Sequence, residues 1–167
     1  MPSISGTPAT RRKPTPTAPS PTPTSASRLD TLPPGRLLLL AEGEGRNAVY
    51  AARRGWQVTA VDFSDEGRAK ALRLAIAQSV RLDYQVADLT ALGWQRPGYY
   101  DAVGLIYAHL PPADRQAVHA AAAASLAPGG HLLLEAFGPG SWACLRVAPS
   151  QRSCSTSRPH WPATLPV

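Results

Sequence analysis

Leu37-Leu38-Leu39-Leu40-Ala41-Glu42-Gly43-Glu44-Gly45-Arg46-Asn47-Ala48-Val49-Tyr50 decides how this chain of 167 residues is read. Four consecutive leucines suit a strand buried on both faces, as in the middle of a parallel sheet. A Gly-x-Gly turn follows, and then residues that suit the first turns of a helix. Strand, glycine turn and helix N-terminus together make a nucleotide site. The unpaired N–H groups of the helix face the crevice, and the glycines let a ligand approach the backbone closely.

Downstream, strands and helices alternate. A helix is expected from about Arg46 to Arg54, with Ala48, Ala51 and Ala52 on one face and Gly55 as its stop. Gln57-Val58-Thr59-Ala60-Val61-Asp62 reads as a second strand ending in an acid. Ser64 suits an N-cap, with Asp65 and Glu66 in the favourable first turn, and Ala69, Leu72, Ala75 and Ile76 form the expected apolar stripe. Leu82 to Val86 is a short third strand with Asp88 just beyond it, and Trp94 to Tyr100 a loop. Asp101 to Tyr107 is the fourth strand, and His109 follows it. A long helix runs from about Pro112 to Leu126, and Pro128-Gly129-Gly130 feeds a fifth strand, His131 to Phe137. This order predicts an α/β fold, a doubly wound parallel sheet with right-handed crossovers.

The two ends differ from this core. Residues 1–30 are dominated by Pro, Thr, Ser and Ala and are expected to be a disordered tail, since they offer too little apolar surface to offset ordering entropy. Their basic residues also fit an organelle transit peptide, but no amphipathic helix is apparent. The domain is expected over 31–138, and residues 139–167, rich in Ser, Pro and Arg, as an irregular tail.

The net charge of +6 is a property of those tails. Between Asp30 and Glu135 lie all eleven acidic residues and ten Lys and Arg. The fold itself therefore lacks the basic stripe of a nucleic-acid binder, and no nucleic-acid partner is expected. Cys144 and Cys154 lie in the C-terminal tail without metal-type spacing, so no metal is expected. No apolar run approaches the ~18 residues of a membrane span, and no secretory leader is visible, which makes a cytoplasmic protein the default.

In such a sheet the chemistry gathers at the carboxyl ends of the strands. Gly43 and Gly45 would turn beneath a ligand, Asp62 would accept hydrogen bonds from ribose hydroxyls, and Asp88 would meet the base. Gly43-Glu44-Gly45-Arg46-Asn47-Ala48 formally matches the dinucleotide fingerprint, so an NAD-dependent oxidoreductase fits this spacing. S-adenosylmethionine needs the same ribose clamp without a pyrophosphate seat. The spacing leaves both open.

Leu40 to Tyr50 followed by Gln57 to Ser64, with Val86-Ala87-Asp88-Leu89 and Leu126-Ala127-Pro128-Gly129-Gly130-His131-Leu132-Leu133-Leu134, resembles the class I S-adenosylmethionine-dependent methyltransferases. The resemblance is nearest to the bacterial small-molecule branch that includes tellurite-resistance and thiopurine methyltransferase-like proteins, and it runs from about Leu32 to Gly138. It implies a Rossmann-like fold and methyl transfer from S-adenosyl-L-methionine to a small-molecule substrate by in-line displacement. It implies that Ala41, Glu42, Gly43 and Gly45 line the methionine and ribose part of the cofactor. Asp62 would then bind the ribose, Phe63 would lie beside the adenine, Asp88 and Leu89 would bracket it, and Tyr107 would close the pocket. Many members carry an acid where this chain has Leu39, and Glu42 or Glu44 is expected to supply the missing charge.

A general base is optional in this chemistry. The candidates are His109, near the expected methyl position, and Glu135, either substrate-facing or a solvated strand end. The family's N-terminal helices and its two further strands are not visible in the sequence, which would leave strand five as an exposed apolar edge. The abrupt change of composition at Gly138 reads as a truncated or frameshifted frame. That leaves a non-catalytic, cofactor-binding remnant as an alternative to an active enzyme.

Overall fold

A computed structural model describes residues 20–136 apart from Leu92. In chain order the elements are α1 (Pro23–Leu29), β1 (Arg36–Leu40), α2 (Arg46–Arg53), β2 (Gln57–Asp62), α3 (Asp65–Ala77), β3 (Asp83–Val86), β4 (Tyr100–Ile106), α4 (Pro112–Ala124) and β5 (Leu126–Glu135). The five strands form one parallel sheet in the order β3-β2-β1-β4-β5. The chain builds outward from β1 to β3, then returns to β1's other side with β4. That reversal opens a crevice at the carboxyl ends of β1 and β4, where ligands bind in open α/β sheets.

The leucine run explains why β1 is central. Successive side chains of a strand point to opposite faces. Leu37 and Leu39 enter a core with Leu29, Ala48, Ala51, Trp56 and Ala71, beneath α1, α2 and α3. Leu38 and Leu40 enter a second core with Trp94, Tyr100, Val118 and Ala122, beneath α4 and the chain leading to β4. All four leucines are at most 1% exposed, and each contributes about 1.5–3 kcal/mol by leaving water. A run apolar at every position needs both faces covered, and here both are.

Three expectations are corrected. Pro23–Leu29 is helical where a disordered tail over 1–30 was expected. Seven residues do not hold a helix alone; docking does, through Leu29 and Ser25, both at most 2% exposed. On α3 the buried stripe is Gly67, Ala71 and Ala75, while Ile76 is 78% exposed and Ala69 also faces out. The helix lies so close to the glycine loop that follows β1 that the contact selects small residues instead of large apolar ones. Finally, β5 starts at Leu126 instead of His131 and takes in the Pro128-Gly129-Gly130 turn. While β4 advances from Tyr100 to Ala102, β5 advances from Leu126 to His131, so the extra residues bulge outward. Leu132 and Leu133 are buried, one in each core, while Leu134 is half-buried and β5 is the outer strand of the sheet among the described residues.

The expected ends of the chain, residues 1–19 and 137–167 with Cys144 and Cys154, lie outside the described residues. No helix among the described residues is long and apolar enough to cross a membrane.

Candidate functional site

Beyond Leu40 the chain leaves the sheet through a tight loop. Ala41, at φ +55°, is a non-glycine residue in the left-handed region, and Gly43 (+62°) and Gly45 (+82°) share it. Gly45 is the N-cap residue of α2. A Cβ there would lie 2.5 Å from the Ala71 Cβ, and one on Gly67 would lie 2.9 Å from the Gly43 carbonyl oxygen. The loop is thus clamped from below by α3. On its other side a Cβ at Gly43 would meet nothing within 4 Å, so the loop borders open space.

Two side chains hold this loop to the neighbouring strands. The Asp62 carboxylate, 5% exposed at the tip of β2, accepts the Gly43 N–H on one oxygen and the Ser64 N–H on the other, both at 2.9 Å. Each oxygen keeps a further lone pair for a ligand hydroxyl. From β3 the Tyr84 hydroxyl donates to the Gly43 carbonyl. Burial pushes the Tyr84 phenol up, and the nearby Asp62 and Glu42 charges add to this, so it remains a donor. Tyr84 was not singled out from sequence; its only signal was its place as the buried residue of a short strand.

Glu42 turns inward. Its side chain accepts the Ala48 N–H at 2.7 Å, and the nearby side-chain and backbone N–H groups of Asn47 favour its charged form. Burial raises its pKa to about 7 against those donors. The carboxyl group therefore occupies the N-terminus of α2, where a dinucleotide's pyrophosphate would sit. Glu44 instead lies on the surface, paired with Lys70, which holds its carboxyl below the usual range.

The remaining sequence-derived positions divide between the edge and the core. Phe63 is 81% exposed beside Asp62. Asp88 is exposed beyond β3, its carboxylate lowered by the backbone N–H and hydroxyl of Thr90. Leu89 packs into the core, and its carbonyl accepts the Trp94 indole N–H at 3.1 Å. His109 is exposed beyond β4.

Glu135 is not a solvated strand end, in contrast to one of the two expectations for it. It is 4% exposed, and its two oxygens accept the Tyr107 hydroxyl (2.9 Å) and the Thr22 hydroxyl (3.0 Å). Thr22 occupies the N-cap position of α1, yet its side chain does not cap that helix. Its N–H instead donates to the side-chain Oδ1 of Asn47 at 3.0 Å, and the Ser25 hydroxyl donates to the same oxygen at 2.9 Å. Asn47 thus joins α1 to the loop acid Glu42. At its other end α1 is tied to α2 by Asp30, which accepts the Tyr50 hydroxyl and pairs with Arg54 at 3.1 Å.

A cavity of about 790 Å³ opens at the opposite, amino edge of the sheet, lined by residues that include Arg36, Trp56, Asp83 and Tyr99. Its Arg36 is committed to Asp101 through two hydrogen bonds of 3.1 Å and lies over the Tyr99 ring. The converging carboxylates, strained loop and open glycine all lie at the carboxyl edge instead.

Residues 37–130 match the family model described as a methyltransferase domain. The chain is 39% identical over 106 residues to the ubiquinone biosynthesis O-methyltransferase of Xanthomonas campestris pv. campestris (strain B100), an alignment that covers 62% of this chain and 43% of that protein. It therefore spans less than half the length of that relative. Among solved structures, TehB from Haemophilus influenzae aligns with a TM-score of 0.61 at 20% identity, over 66% of this chain and 38% of that one. The glycopeptide N-methyltransferase MtfA aligns with a TM-score of 0.55 at 24% identity, over 66% and 53%. Those two likenesses show the fold and do not single out the tellurite-resistance branch. With its parallel sheet and its glycine loop between β1 and α2, the chain belongs to the class I S-adenosylmethionine-dependent methyltransferase family.

Proposed function

We propose that this chain binds S-adenosylmethionine across the carboxyl edge of the sheet and transfers its methyl group to a small-molecule acceptor. Glu42 carries the choice of cofactor. A buried carboxyl at the α2 N-terminus takes the N–H groups that a pyrophosphate would need and repels its charge, which favours S-adenosylmethionine over NAD. Asp62 fits both ribose hydroxyls, and open space above Gly43 receives the ligand. Asp88 and Phe63, exposed beyond β3 and β2, suit the adenine. Glu44 is engaged with Lys70, so Glu42 is the acid nearest the amino-acid end of the ligand.

The bound cofactor supplies an electrophilic methyl group on a sulfonium, so the protein's work is alignment and the exclusion of water. The loop from Ala41 to Gly45 and the Asp62 clamp orient the ligand, and the ends of β4 and β5 border its reacting end. His109 is the titratable side chain exposed beside that end and suits a proton acceptor. The O-methyltransferase relatives support an oxygen nucleophile on the acceptor.

The test is calorimetric titration of the full chain with S-adenosylhomocysteine and with NAD in parallel. Binding of S-adenosylhomocysteine alone is the expected result. NAD binding alone would move the chain to the oxidoreductases, while cofactor binding without methyl transfer to any small phenol or hydroxy acid would mark a non-catalytic remnant.

A further inference from the structure

Tyr107 is the first residue after β4 and has φ +54°, a left-handed conformation that is strained for a non-glycine residue and persists only where its surroundings impose it. Two of the contacts that hold it go to one residue. The Tyr107 N–H donates to the Glu135 carbonyl at 2.7 Å, and its hydroxyl donates to the Glu135 carboxylate at 2.9 Å. Glu135 therefore grips Tyr107 by main chain and side chain at once. Its second oxygen is held by Thr22, which is held in turn by Asn47 beside the cofactor loop.

Sheet order says which part of a ligand this constellation faces. β2 and β3 lie on one side of β1, and β4 and β5 on the other. If Asp62 on β2 takes the ribose and Asp88 beyond β3 lies by the base, the rest of the ligand extends across β1 toward β4. The strained Tyr107 stands there. Nothing in the binding of ribose or adenine calls for a buried carboxylate at the end of β5 or for a hydroxyl tie from α1.

We propose that Glu135 is a positioning residue, which holds the Tyr107 ring as the wall against the thioether and amino-acid end of the cofactor, and that the Thr22 hydroxyl makes this wall depend on docked α1. This rests on the cofactor reading above and extends it. When the ties are cut, Tyr107 relaxes from its left-handed conformation. The binding-competent state then becomes a fraction of the population, and apparent affinity falls by that fraction. Only ligands that reach the wall lose affinity.

The experiment compares S-adenosylhomocysteine with adenosine, which lacks the thioether and amino-acid end. Both are titrated calorimetrically into the full chain and into Tyr107→Phe, Thr22→Val and Thr22→Ser. Tyr107→Phe keeps the ring and removes only the hydroxyl, and Thr22→Val keeps the branched shape of a partly buried residue, so neither change creates a cavity. Expected is a loss of about tenfold for S-adenosylhomocysteine in Tyr107→Phe and in Thr22→Val, with adenosine changed by less than about twofold and Thr22→Ser restored. Equal losses for both ligands, or no loss for either, would overturn the positioning role while leaving the cofactor reading in place. A wild-type chain that binds neither ligand would overturn both.

Discussion

Replacing Glu42 with Gln should change the stability of the protein in opposite directions at low and high pH. The Glu42 carboxyl is buried, and its pKa is raised from 4.5 to about 7. The folded state then holds this proton more tightly than the unfolded chain does. Its contribution is complete below the unfolded value and is lost progressively as pH rises through about 7. A difference of that size corresponds to ~3 kcal/mol. Glutamine removes the ionisation and with it this loss. It still offers one oxygen to the Ala48 N–H, but its amide faces the Asn47 donors and forfeits an acceptor, at a cost of about 1–2 kcal/mol. The balance predicts a variant less stable than wild type by ~1–2 kcal/mol near pH 4, where the Glu42 contribution is still nearly complete, and more stable by ~1–2 kcal/mol near pH 8. Urea unfolding followed by tryptophan fluorescence reads this directly, since Trp56 and Trp94 are both buried. Curves for the two proteins that stay parallel from pH 4 to 8 would refute the account. Glu42 would then be ionised throughout, with the α2 N-terminus outweighing burial.

Other consequences follow from the loop and its clamp. Gly45→Ala places a Cβ 2.5 Å from that of Ala71 at a φ of +82° and should destabilise by roughly 2–4 kcal/mol in urea unfolding. Asp62→Ala should abolish the stabilisation by S-adenosylhomocysteine that in wild type reaches about 2.7 kcal/mol at ~100-fold excess over Kd, as read by thermal shift. Ser64→Ala removes the acceptor of the Gly67 N–H at 3.0 Å and should cost ~1 kcal/mol of stability without changing the sheet's circular dichroism.

Much of the fold was legible because parallel α/β architecture writes itself locally. Strands buried on both faces need unbroken apolar runs, and Leu37 to Leu40 is one. The place of Asp62 at the tip of β2 was legible because the apolar run of that strand ends on it, and Ser64 because an N-cap hydroxyl followed by two acids is a local signal. Both are where the sequence placed them. The α3 stripe misled because apolar periodicity counts Ile76 and overlooks Gly67. The contact with the Gly43 loop rewards absence of a side chain, which a hydrophobic pattern does not register.

What the amino-acid sequence determined on its own was the order of elements from β1 to β5, the central strand, the glycine loop and the acid beside it, since each depends on residues within one turn or one strand. Tertiary structure decided the rest. Pro23–Leu29 is helical only because Leu29 and Ser25 are buried against the domain. Glu42 is an inward cap only because α2 brings the N–H groups of Asn47 and Ala48 to it. Glu135 meets Thr22 across 113 residues of sequence. Contacts of that separation carry no local signature, because their partners become neighbours only once the sheet has brought the strand ends and α1 together.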